Sequence, residues 1–150
     1  MKILLVTTFL IFISNFVNAE VIGEWKLDVE KTIQFNSENA KVSEVWKSLL
    51  KCMAENSTLT INNDHYISIA RDHKCSHNGK NAEIEGYSID YPYKVVLDNP
   101  DKTALVINNE EGFEFLEVIH KIDNDHIWIY YPGEPKEYDS HIRNYYKRNK

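Results

Sequence analysis

The chain has little cysteine, proline or glycine: two, four and five residues among 150. It also lacks every short signature of common hydrolytic or nucleotide chemistry. There is no Gly-x-Ser-x-Gly elbow, no phosphate-cradling glycine-rich loop and no His-Glu-x-x-His. Paired acids such as Glu110-Glu111 have no spacing that commits them to acid/base work, and they read as turn and surface charges. No internal repeat or low-complexity segment is present. Basic residues are outnumbered 17 to 23 and form no cluster, which argues against nucleic acid and anionic membrane surfaces as partners. Together these absences point to a protein that is not an enzyme, with no catalytic residue and no cofactor.

The longest apolar run lies at the start. Lys2 precedes the mostly apolar stretch Ile3 to Val17, and Val17-Asn18-Ala19 offers small residues before a cleavage point. Residues 1–19 therefore read as a secretory signal peptide, too short and too interrupted by Thr7, Thr8, Ser14 and Asn15 for a comfortable transmembrane helix, with a retained membrane anchor as the other reading. Residues 20–150 are expected to form one domain of 131 residues. Without Lys2 it carries 16 basic and 23 acidic residues, a formal charge of −7. Nine tyrosines, six phenylalanines and three tryptophans supply a core and exclude disorder. In a secreted or periplasmic chain, Cys52 and Cys75 most simply form one disulfide. Free thiols or a bridge between chains are the other states.

Gly23-Glu24-Trp25-Lys26-Leu27 reads as a first strand, and Asp28 to Asn36 as a connection. From Ser37, a plausible N-cap, the residues Val42, Val45, Trp46, Leu49, Leu50 and Met53 recur at helical spacing, which predicts one amphipathic helix ending near Asn56. From Thr58 the period falls to two. Short strands follow at roughly ten-residue spacing: 58–62, 66–71, 82–89, 94–97, 103–107, 113–122, 126–131 and 140–148. Asp72 to Asn81 is polar, with an Asn78-Gly79 hairpin signal, and Pro92 predicts an edge, bulge or break. The expected architecture is mainly β: an antiparallel meander barrel of eight or nine short strands, with one helix after the first. Closure is preferred over an open sandwich because it removes both sheet edges.

Gly23-x-Trp25 on the first strand and a basic residue near the end of the last resemble the lipocalin-like (calycin) proteins, and among them small exported forms. The resemblance implies that an arginine from the last strand covers Trp25 at the closed end. Arg143 and Arg148 fall on opposite strand faces, so only one can serve, and Arg148 is preferred. The helix here follows the first strand instead of preceding the last, a departure from that family.

Barrel strands turn one face inward, so Tyr66, Tyr87, Tyr93, Phe113, Phe115, Trp128 and Tyr130 are the candidate ligand-lining residues. The alternative is that such aromatics fill a small core. His73, Cys75 and His77 alternate along one segment and, with His65, could hold zinc or copper. A disulfide at Cys75 is the stronger reading and leaves no metal site. The expected function is an exported, non-enzymatic barrel holding a small hydrophobic or amphipathic ligand. The competing expectation is a protein-binding module, such as an inhibitor or immunity protein, whose acidic loops engage a basic partner.

Overall fold

A computed structural model describes residues 20–40, 42–77, 80–131 and 142–150. In chain order its elements are β1 (Gly23–Leu27), α1 (Val29–Asn39), α2 (Glu44–Ala54), β2 (Ser57–Ile61), β3 (His65–Ala70), β4 (His73–His77), β5 (Lys80–Ile84), β6 (Tyr87–Asp98), β7 (Lys102–Asn108), β8 (Glu114–Asp123), β9 (His126–Tyr130) and β10 (Arg143–Arg148). Eight strands close into a barrel in the order β1-β10-β9-β8-β7-β6-β3-β2, and every pairing is antiparallel. The fold is thus the expected mainly β, lipocalin-like barrel. Strands β4 and β5 pair only with each other, as a hairpin inserted between β3 and β6. The expected leader, the Asn78-Gly79 turn and the loop from residue 132 to 139 lie outside the described residues.

Three local expectations change. Pro92 does not break its strand: β6 runs unbroken from Tyr87 to Asp98. It pairs with β3 as far as Pro92 and with β7 from Tyr93 onward. The missing proline N–H therefore falls where one ladder ends and the next begins, where it costs least. The polar stretch expected as a loop holds β4 and β5. The predicted single helix is two, because residues read as a connection form α1.

Helix α1 escaped the apolar-periodicity test because its buried positions are polar, Thr32 and Asn36. Asp28 caps it, accepting from Lys31 N at 3.2 Å. Strand β1 ends at Leu27, opposite Tyr146, and after the Asp28 N–H, which donates to Tyr145 O at 2.8 Å, the upper half of β10 has no strand on that side. Helix α1 supplies partners there with side chains a single turn apart. Tyr145 N donates to Thr32 Oγ1 at 2.9 Å. Arg143 N donates to Asn36 Oδ1 at 3.0 Å, and Asn36 Nδ2 donates to Arg143 O at 2.8 Å. One asparagine thus completes both backbone bonds of Arg143. Asn36→Leu is expected to cost about 2 kcal/mol, because it strands an N–H and a C=O at a half-buried site. Urea denaturation checks this, and an unchanged midpoint would count against the role.

Helix α2 begins later than expected, at an N-cap formed by Ser43, whose Oγ accepts from Trp46 N at 3.1 Å. It packs on β2, on α1 and on β4. The Cys52–Cys75 disulfide joins it to β4. Gly86 brings the start of β6 back against the end of β3: a Cβ there would meet Ala70 O at 2.5 Å and Asp72 N at 2.7 Å. The core lies inside the barrel and is built from Val21, Trp25, Leu59, Ile61, Tyr66, Tyr93, Leu105, Ile107, Ile119, Ile127 and Ile129.

Candidate functional site

One end of the barrel is sealed by side chains. Trp25 is completely buried, and its Nε1 donates to Val21 O at 3.0 Å. The Arg148 guanidinium lies 4.3 Å over the indole ring. Its Nη1, Nη2 and Nε donate to Ile22 O, Glu20 O and Asn124 O at 2.7, 2.6 and 2.9 Å. Gly23 is required beside it, since a Cβ would occupy the place of Arg148 Nη1 and φ is +153°. A buried ion pair reinforces the same end. Lys121 Nζ, on a side chain only 4% exposed, donates to Asp98 Oδ1 at 2.9 Å and to Asn99 O at 2.7 Å. Thr103 Oγ1 donates to the same Asp98 oxygen at 2.7 Å.

Above this plug the barrel is not uniformly apolar. Residues alternate in strands, so Glu117 shares the inward face of β8 with the fully buried Ile119, opposite Leu105. Its carboxyl is pushed up to about 7, chiefly by burial, against the opposing effect of a bond from the Val118 N–H. Tyr66 of β3 and Tyr146 of β10 are also held well above the usual phenol range, by burial first and then by the Glu117 charge. Tyr87 of β6 adds to both shifts, and its Oη lies 3.3 Å from Ser68 Oγ. Asn144 bonds the Tyr146 phenol. The Asn144 Oδ1 is buried with no hydrogen-bond partner among the described residues, on a residue 8% exposed. A carboxyl, two buried phenols and an amide, with the half-exposed Tyr87 at the mouth, therefore converge from four strands in an otherwise apolar wall.

Burial of Glu117 has a direct consequence for stability. Its folded value, about 7, exceeds the ordinary 4.5, so the folded state binds the extra proton between those values. Stability from this group therefore falls as pH rises from about 4.5 to about 7 and stays low above. Glu117→Gln removes that slope. The variant should exceed the parent by about 2 kcal/mol at pH 8, below the ~3 kcal/mol of a fully sealed carboxyl. The gap should vanish near pH 4, and parallel urea titrations at the two pH values read it. A constant difference would show that the carboxyl is solvated.

The aromatics singled out from sequence are not gathered in one place. Tyr66 and Tyr93 are buried in the core, and Tyr93 Oη is occupied, donating to Asn62 O at 2.6 Å. Tyr87 and Phe115 are inward by register but lie at the helix-bearing end, 46% and 41% exposed. Phe113 precedes β8 and is exposed. Trp128 and Tyr130 alternate with the buried Ile127 and Ile129, so they face outward. There Trp128 stacks on His120 at 3.6 Å, Tyr130 meets both rings edge-on, and Arg143 lies 4.1 Å over Trp128. Arg143 is thus the outward arginine and Arg148 the inward one. Burial, then Lys102 and Arg143, lower the His120 imidazole from its ordinary value. Glu117, Asn144 and Tyr146 share the inward faces of β8 and β10 with Ile119 and Arg148, faces that a period of two alone does not tell from the outward ones.

Of the residues that spacing suggested as metal ligands, His73 and Cys75 lie together, their ligand atoms within 4.8 Å of each other and of Cys52 Sγ, while the His77 side chain lies outside the described residues. Cys75 Sγ is bonded to Cys52. His65 lies at the start of β3, where its Nδ1 meets Asp90 Oδ1 at 2.6 Å. His73 Nδ1 meets Arg71 O at 2.7 Å. A charged groove of about 610 Å³, lined by Asp72, His73, Lys74, Glu83, Ile84 and Glu85, lies along the β4–β5 hairpin, outside the barrel.

No family model and no curated protein matches the chain. Among solved structures it is similar to As-p18, an extracellular fatty acid binding protein, at 11% identity and a TM-score of 0.39, over 89% of this chain and 99% of that one.

Proposed function

We propose that this protein is an exported, non-enzymatic carrier that holds a small amphipathic molecule inside its barrel. The observation that carries the reading is the polar cluster of Glu117, Tyr66, Tyr146 and Asn144 set into an apolar interior. Buried polar groups are normally satisfied by one another. Here Asn144 Oδ1 is left over and Glu117 carries the cost of desolvation without a salt-bridge partner among the described residues. A ligand would place its apolar body against Ile107, Ile119 and Ile129 and its polar end at this cluster. The sealed end at Trp25 and Arg148 would fix the direction of entry from the opposite end. Removal of residues 1–19 on export would free Glu20, whose carbonyl Arg148 already holds. The Cys52–Cys75 disulfide suits an oxidising compartment.

The test is native mass spectrometry of the exported protein together with displacement of an environment-sensitive fluorescent probe. A bound small molecule, or saturable displacement by short amphiphiles, is the expected result. Protein without bound mass that also fails to bind any amphiphile would overturn the carrier reading.

A further inference from the structure

We infer that the barrel selects a ligand whose polar end donates hydrogen bonds, an amine or ammonium on an apolar body, in preference to a carboxylate. This inference rests on the carrier reading and adds the chemistry of the ligand. Two independent features point to it. Glu117, inward on β8 and mostly buried, has no cation among the described residues to balance it. Asn144, inward on β10 and more than nine-tenths buried, offers an acceptor oxygen with no donor among the described residues. A carboxylate has no donor for either oxygen, whereas an ammonium group has three.

The groups around Glu117 do not reverse this preference. Strand β3 presents Tyr66, β6 presents Tyr87 and β10 presents Tyr146, all phenols. Strands β2, β7 and β9 present Leu59, Leu105 and Ile129, which carry no charge. Tyr93 is bonded to Asn62. Among the described residues the inward cations, Lys121 and Arg148, are both spent at the sealed end. Lys121 is paired with Asp98, and Arg148 is committed to three carbonyls. A ligand carboxylate near ionised Glu117 therefore meets a like charge with no screening cation among the described residues, a penalty on the order of a hundredfold in affinity. It could bind well only by sharing the Glu117 proton.

The two ligand classes consequently depend on pH in opposite directions. Ammonium binding requires Glu117 ionised and strengthens as pH rises through about 7. Carboxylate binding requires it protonated and weakens over the same range. The experiment uses the full disulfide-bonded protein with decylamine and decanoate, each below its micelle concentration, by calorimetry at pH 6 and pH 8. Decylamine is expected to bind at least tenfold tighter at pH 8 and to weaken several-fold at pH 6. Glu117→Gln should lose at least tenfold for decylamine and flatten its pH profile while gaining for decanoate. Asn144→Leu provides a second variant that leaves the carboxyl in place and should weaken the amine alone. Decanoate binding tighter at pH 8, or decylamine binding unaffected by Glu117→Gln, overturns the inference and leaves the carrier standing. Failure of both probes to bind overturns the inference, and together with no bound mass and no binding of any other amphiphile it overturns the carrier reading itself.

Discussion

Replacing Trp25 by alanine is expected to lower the unfolding free energy by about 3–5 kcal/mol, the range for removing a large ring from a packed core. The ring is wholly enclosed and is the largest fully buried side chain among the described residues. Its removal does more than open a void. Arg148 would keep its three carbonyl partners but face an empty, low-dielectric space where the π-face had been. Trp25→Phe separates the contributions. It keeps an aromatic surface under the guanidinium and loses the Nε1 bond to Val21 O, for an expected cost of about 1–2 kcal/mol. Urea denaturation followed by circular dichroism measures both variants. A loss below 1 kcal/mol for Trp25→Ala would show that the sealed end does not hold the barrel closed.

Reducing the Cys52–Cys75 bond, or replacing both cysteines by serine, should cost about 3 kcal/mol, from the entropy of a loop of roughly two dozen residues. The effect should be uneven in space. Strands β4 and β5 share no ladder with the barrel, so the disulfide is the covalent link from this hairpin to α2. Amide exchange in β4 and β5 should rise sharply on reduction, while β7 and β8, paired on both sides within the barrel, keep their protection. Equal loss of protection throughout would mean that the hairpin is integral to the barrel. Retained protection in β4 and β5 would mean that packing against α2 suffices without the bond.

How much of this was legible varies from element to element. Strand β8 could be read almost residue by residue, because Phe115, Glu117, Ile119 and Lys121 alternate with Leu116, Val118, His120 and Ile122. Its sidedness could not. Both faces carry large apolar groups, and closure alone decides that Ile119 is buried and Leu116 exposed. The same ambiguity put Trp128 and Tyr130 among the ligand-lining candidates, although their neighbours Ile127 and Ile129 fill the interior. Helix α1 was illegible for another reason. Its inward residues, Thr32 and Asn36, are chosen to bond a strand's backbone and leave no hydrophobic period to detect. The interior polar cluster was hidden because Tyr66, Glu117, Asn144 and Tyr146 are dispersed over some eighty residues of chain and meet only across the barrel.

From its own residues, the chain determined an antiparallel sheet of short strands, a helix that needs a cover and two cysteines within reach of one another. These follow from local periodicity and turn chemistry, which act over a few residues. Tertiary structure decided which strand faces look inward, that β10 borrows a helix to complete its ladder and that a lone carboxyl lies inside the barrel. Those outcomes depend on how distant strands pair and close, where burial changes the free energy of a side chain that no neighbour in sequence can set.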